Sequence, residues 1–123
     1  MNKIFTGVRQ VFIIFVLVAA LSACEKYSYN PPAVDPNNPW SLATDIQPIF
    51  NARCVDCHGG RVQPNLSAGQ SYNTLSRGGY VNRPAEQSRL YVQITTDPNH
   101  IKLVTETERL KILYWIQQGA KNN

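Results

Sequence analysis

The sequence predicts an all-α domain, and three observations carry that reading. A capped helix with an apolar stripe lies near the end of the chain, a second amphipathic helix runs into a Cys-x-x-Cys-His segment, and β alternation is weak everywhere. No repeat is visible. The folded unit is expected over residues 40–123, a length at which a hydrophobic core is marginal without a metal, a disulfide or a cofactor.

The first helix is expected within SLATDIQPIFNARCVDCH, residues 41–58. Asp45 suits its N-cap, and Pro48 in the first turn gives up an amide that would be unpaired anyway. Ile46, Ile49, Phe50, Cys54 and Cys57 then share one face at helical spacing, and Gly59-Gly60 permits a sharp exit. Two shorter helices follow, in SAGQSYNTL from Ser67 and in PAEQSRLYVQI from Pro84. The last helix has the clearest signals. Thr105 and Glu108 stand at capping-box spacing, Ile112, Trp115 and Ile116 form the stripe with Leu113 beside them, and Gly119 closes it.

Upstream of the domain the pattern is one of export. Lys3 and Arg9 precede an unbroken apolar run over residues 11–21, a length that suits a signal-peptide core and falls short of the roughly 20 residues of a membrane-spanning helix. The run ends in LSAC, residues 21–24, which looks like a bacterial lipobox. On that reading residues 1–23 are removed and Cys24 becomes the lipidated N-terminus; an uncleaved anchor with an incidental cysteine is the alternative. Residues 24–39, rich in proline and asparagine, then form a tether. Processing removes Lys3 and Arg9 and no acidic residue, so the formal charge falls from +4 to +2. Nothing in that balance suggests nucleic acid. Glu25 after the lipidated cysteine favours the outer membrane over retention at the inner one.

With Cys24 assigned to lipid, Cys54 and Cys57 remain as a pair. Cys54-Val55-Asp56-Cys57-His58 matches the attachment signature of c-type haem. Two thiols add across the two vinyl groups of the porphyrin, and the adjacent histidine is placed under the ring to bind iron. Three rivals fit less well. A thioredoxin-like pair needs a βαβ pattern, which is missing. A zinc site built from Cys54, Cys57, His58 and His100 puts adjacent ligands awkwardly for a tetrahedron. A structural disulfide closing so small a loop adds little stability.

DIQPIFNARCVDCHGG, residues 45–60, resembles the start of small monohaem cytochromes c of exported bacterial proteins, and the similarity continues through SRLYVQI and LKILYWIQQGAKNN. The resemblance implies a class I-like helical domain wrapped around one covalent haem, with the first and last helices crossing near its edge. Phe50 and Trp115 correspond to the aromatics packed there. It further implies that a proline-containing segment after the haem motif gives a backbone carbonyl to the outer nitrogen of the iron-binding histidine, for which VQPNL with Pro64 is the match. Arg53, Arg61, Arg77 and Arg83 are candidates to pair with propionates, and Tyr72, Tyr80 and Tyr91 to line the pocket.

Such cytochromes usually place a methionine on iron from a loop before the last helix. The one methionine here is Met1, lost with the signal peptide, so a thioether from the mature chain is excluded. In that loop, TDPNHIKLVTETE, stands His100, the only other histidine, behind a turn-forming Asp-Pro-Asn. His100 is the expected sixth ligand, with Lys102 and an open iron as alternatives. Ligation by two imidazoles lowers the reduction potential relative to imidazole plus thioether and closes the iron to small ligands. The expected function is electron transfer between redox partner proteins by an exported, membrane-anchored lipoprotein, not catalysis: no nucleophile with a base, carboxylate pair or phosphate loop is visible. The alternatives are a ligand-binding or sensory haem module and an accessory haem subunit of an exported enzyme.

Overall fold

Helix formation begins four residues earlier than Asp45, because a serine there can do the capping. The computed structural model describes Asn30 and residues 33–123, all but the first of them within the unit Pro31–Asn123. The expected signal peptide, Cys24 and the first part of the tether lie outside the described residues. Ser41, in extended conformation, accepts the Thr44 amide on its hydroxyl, and the Asp45 carboxylate reaches back to accept the Ser41 amide at 3.0 Å. Asp45 is thus the return half of the cap rather than the cap itself. The first turn, Leu42–Ile46, is wound wide as a π-type turn and leads directly into α1, Gln47–Arg53, with Pro48 in the first turn as expected.

The helix does not run unbroken to His58. Cys54 departs from helical geometry (φ −121°), and a separate short turn, α2, Val55–His58, follows. The break ends the buried face early. Ile46, Ile49 and Phe50 are buried, Cys54 is half-buried, and Cys57 is exposed rather than facing inward. Gly60 then adopts φ +106°, which an L side chain would resist, and the chain turns out of the helix.

The two middle helices start later than Ser67 and Pro84. Ser67 opens a turn that precedes α3, Ser71–Arg77, and Pro84 caps a 3₁₀ turn, Ala85–Gln87. Ser88 interrupts there in extended conformation and caps α4, Arg89–Thr96, by accepting the Tyr91 amide. The capping serine decides the boundary. Leu90 and Ile94, four apart, point into the core.

The last helix, α5, Glu106–Gln117, carries the full capping box on Thr105 and Glu108. It ends where Gly119 adopts φ +102°: the Gly119 amide donates to Ile116 and the Ala120 amide to Trp115, satisfying carbonyls that a helix end leaves free. Ile112, Leu113, Trp115 and Ile116 are all buried and pack α5 against the π-type turn, the 3₁₀ turn and α4. Phe50 and Trp115 are essentially sealed from solvent; burying an aromatic of this size stabilises by about 1.5–3 kcal/mol. Arg53 and Glu108, at 3.1 Å, join α1 to α5.

The end of the tether is bonded to the domain. Val34 packs on the core, Trp40 donates its indole N–H to the Asp35 carbonyl, and the Gln118 side-chain amide donates to the carbonyls of Pro36 and Asn38. Among the described residues there is no strand and no helix long and apolar enough to cross a membrane.

Candidate haem-binding cleft

The break at Cys54 and the turn after α4 bring two histidines to one cleft. His58 ends α2, where the loop over residues 59–66 folds back: the Leu66 amide donates to the His58 carbonyl at 2.8 Å, closing the loop at its base. Pro64 lands against the His58 ring, its carbonyl 3.1 Å from Nδ1, with the Val62 carbonyl at 3.3 Å. Both acceptors are carbonyls, so Nδ1 carries the proton and donates. Nε2 keeps its lone pair. The contact expected at Pro64 is present.

His100 is held differently. Asp97 stops α4, and its carboxylate accepts the backbone amides of Asn99 and His100, forming the tight turn. The same oxygen accepts from His100 Nδ1 at 2.8 Å, with the Gln93 side-chain amide 3.3 Å from that nitrogen. Because the His100 imidazole and then the Asn99 amide bond to it, the Asp97 carboxyl sits below its ordinary value of 3.8. Here too the partners hold Nδ1, and no described residue bonds Nε2.

The two ring centres lie 6.2 Å apart with the planes inclined at 40°. An imidazole centre is about 1.1–1.2 Å from its nitrogens, and metal–imidazole bonds run about 2.0–2.1 Å, so two imidazoles on opposite sides of one metal have centres about 6.2–6.6 Å apart. The observed separation suits a single metal between the rings, and each Nδ1 is held by a carbonyl or carboxylate, as in metal-bound histidines. Cys54 lines the same cleft, whose volume of about 510 Å³ is of cofactor size. Leu66, Leu90 and Ile94 supply apolar wall and Tyr80 an aromatic one. Cys54, His58 and His100 fit a haem in this cleft, whereas Cys57 is exposed and outside its lining.

The thiols argue against the rivals. Both cysteines are free rather than paired. Burial, with the negative Glu108 adding to it and Arg53 offsetting part, pushes the Cys54 thiol up to about 11. A redox-active cysteine works as a thiolate, the opposite shift. Among the described residues, no three His, Cys, Asp or Glu side chains converge as a zinc site requires.

Other expected positions fall elsewhere. None of Arg53, Arg61, Arg77 and Arg83 lines the cleft: Arg53 is bonded to Glu108 and Arg61 to the Asp56 carbonyl. Arg89 lines it instead, its guanidinium stacked 4.4 Å above the Tyr80 ring. Tyr80 is the one cleft tyrosine; Tyr72 and Tyr91 pack on the core. Lys102 is exposed and outside the cleft lining. Arg89 and Gln93 were missed in the sequence, although they share a helix face four residues apart, beside the core positions Leu90 and Ile94; Asp97 was read as part of the turn but not as the partner of the His100 ring. No family model, curated protein or solved structure matches the chain.

Proposed function

We propose that this chain is an exported electron-transfer lipoprotein carrying one covalent haem c. Cys54 and Cys57 would supply the attachment thiols, and His58 and His100 would be the iron ligands. The observation that carries the reading is the pair of imidazoles, 6.2 Å apart, each held at Nδ1. When bound, the haem supplies a one-electron ferric/ferrous couple. The chain's own residues do the rest. Pro64 and Asp97 fix the two tautomers and raise the basicity of the facing nitrogens, which favours ferric iron. The apolar wall would shield the group, and Arg89, in the cleft lining, would be the cation for its carboxylates. On this reading the chain is a carrier rather than an enzyme. The partners are redox proteins, and the Cys24 lipid holds the domain near a bacterial membrane, facing the periplasm or the exterior.

The test is the mass and colour of the matured protein expressed with the haem-attachment machinery. A red protein heavier than the acylated polypeptide by one haem, retained after denaturation, supports the proposal; a colourless protein at the mass of the acylated polypeptide contradicts it.

One observation favours a second reading, a ligand-binding haem whose sixth position opens. His100 stands half-buried on a turn followed by exposed Ile101, Lys102 and Leu103. Rapid carbon monoxide binding by the reduced protein separates this reading from the first.

A further inference from the structure

Gln47 is a buried polar side chain with every bonding group used. Its Nε2 donates to the Leu66 carbonyl at 2.9 Å and to Asn51 Oδ1 at 2.8 Å, while its Oε1 accepts the Ser71 hydroxyl at 2.5 Å. The Leu66 carbonyl can only accept, which fixes the orientation of the amide. Leu66 and Ser71 are themselves buried, at 2% and 1% exposure. One side chain thus ties α1 to the loop after the Cys-x-x-Cys-His segment and to the first residue of α3. A polar group so placed costs free energy unless fully bonded, and this one is fully bonded.

The loop's other ends explain what the tie does. Leu66 is fixed on both sides, its amide on the His58 carbonyl and its carbonyl on Gln47. Pro64, two residues before, is the segment's contact with His58 Nδ1. Residues 59–63 are exposed, and among the described residues their outward ties are exposed ones, from Arg61 to Asp56 and from the Val62 carbonyl to His58 Nδ1. The buried anchor of the Pro64 carbonyl is Gln47.

We propose that Gln47 is the positioning residue for the His58 imidazole, acting through Leu66 and Pro64 to hold the Nδ1–H bond and so to tune the iron's reduction potential. The geometric half stands on the bonds above; the electronic half rests on the haem reading. Gln47→Leu keeps bulk but leaves the Leu66 carbonyl and Ser71 hydroxyl without a buried partner. With the His58 bond loosened, the imidazole becomes less basic and ferric iron less favoured. The potential of the holoprotein is expected to rise, by about 59 mV for a tenfold change in relative ferric and ferrous affinity. Ile112→Val, a mild core change in α5 outside the cleft lining, is expected to lower the melting temperature without moving the potential.

The second readout needs no haem. Nitrogen-15 spectra of the His58 ring in the chain produced without attachment machinery are expected to show the Nδ1–H tautomer fixed in the unaltered protein and averaged in Gln47→Leu. A variant that melts lower while both potential and tautomer match the unaltered protein makes Gln47 a packing residue and overturns the proposal. If Gln47→Leu does not fold, Ser71→Ala is measured in its place, with a smaller shift of the same sign expected and none contradicting. If the unaltered chain takes up no haem, the haem reading falls and the tautomer still decides the clamp.

Discussion

The two histidines of the cleft are held by unlike means. His58 closes a short helix and meets a carbonyl from a loop pinned to buried Gln47 and Leu66. His100 sits on a turn, its ring bonded to a half-buried carboxylate on the same turn. One support reaches through the chain to a buried anchor, the other is local to its own turn. Buried, fully bonded supports rigidify, whereas solvent-facing ones are weakened by competition with water. A fixed imidazole and a yielding one across the same cleft suit a metal held permanently on one face and adjustably on the other.

The largest effect that tests this contrast is in haem retention. Under the proposed ligation, His58→Ala removes the ligand next to the attachment thiols, and the haem-to-protein ratio of the purified variant is expected to fall to near zero. His100→Ala is expected to keep its covalent haem. Equal loss in both variants would erase the distinction between the two sides.

Next in size is the local support of His100. Asp97→Ala removes the acceptor for Nδ1 and for the two turn amides together. The share of iron bound by His100 against added imidazole is expected to drop about tenfold, the usual cost of losing an orienting partner. Titration of the holoprotein followed by absorption measures it, and an unchanged competition curve would make the carboxylate ornamental to ligation.

Smaller again is the cap of the helix that follows the His100 turn. Thr105→Ala is expected to cost about 1 kcal/mol, a drop of about 4–8 °C in melting temperature for a domain of this size. The absorption spectrum should not change. A spectral change would show that the helix start, not just Asp97, holds His100 in place.

The smallest effect is in acid. Burial raises the Glu108 carboxyl, but the Thr105 amide and hydroxyl and the Arg53 guanidinium outweigh it and hold the group below its ordinary value of 4.5. A carboxylate depressed on folding contributes stability above its unfolded value and loses it as pH falls through the folded one. Melting temperature is therefore expected to decline below pH 4.5 with a contribution that Glu108→Gln removes. An acid dependence identical in the variant would assign the decline to other carboxylates.

What was legible in the sequence was local. The Thr105–Glu108 box, the stripe of α5 and the closing Gly119 need only neighbours along the chain, and each stands as read. The Pro64 carbonyl followed from a resemblance and is where it was expected. Boundaries failed where two caps competed: Ser41 against Asp45 at the first helix, and Ser88 inside what read as one helix from Pro84. Cys57 failed because the helix breaks at Cys54, and a periodicity argument cannot see a break that keeps helical residues on both sides. Arg89 and Gln47 were illegible because their roles depend on which segments meet in space. Nothing in the spacing of Gln47, Leu66 and Ser71 announces that they touch.

The most direct measurement of the central claim is the absorption spectrum of the reduced holoprotein with and without carbon monoxide, taken beside His100→Ala. Iron held between His58 and His100 predicts a low-spin spectrum that carbon monoxide leaves unchanged on mixing, and a variant that binds the gas at once. A high-spin spectrum that shifts on adding carbon monoxide, the same in both proteins, would contradict it.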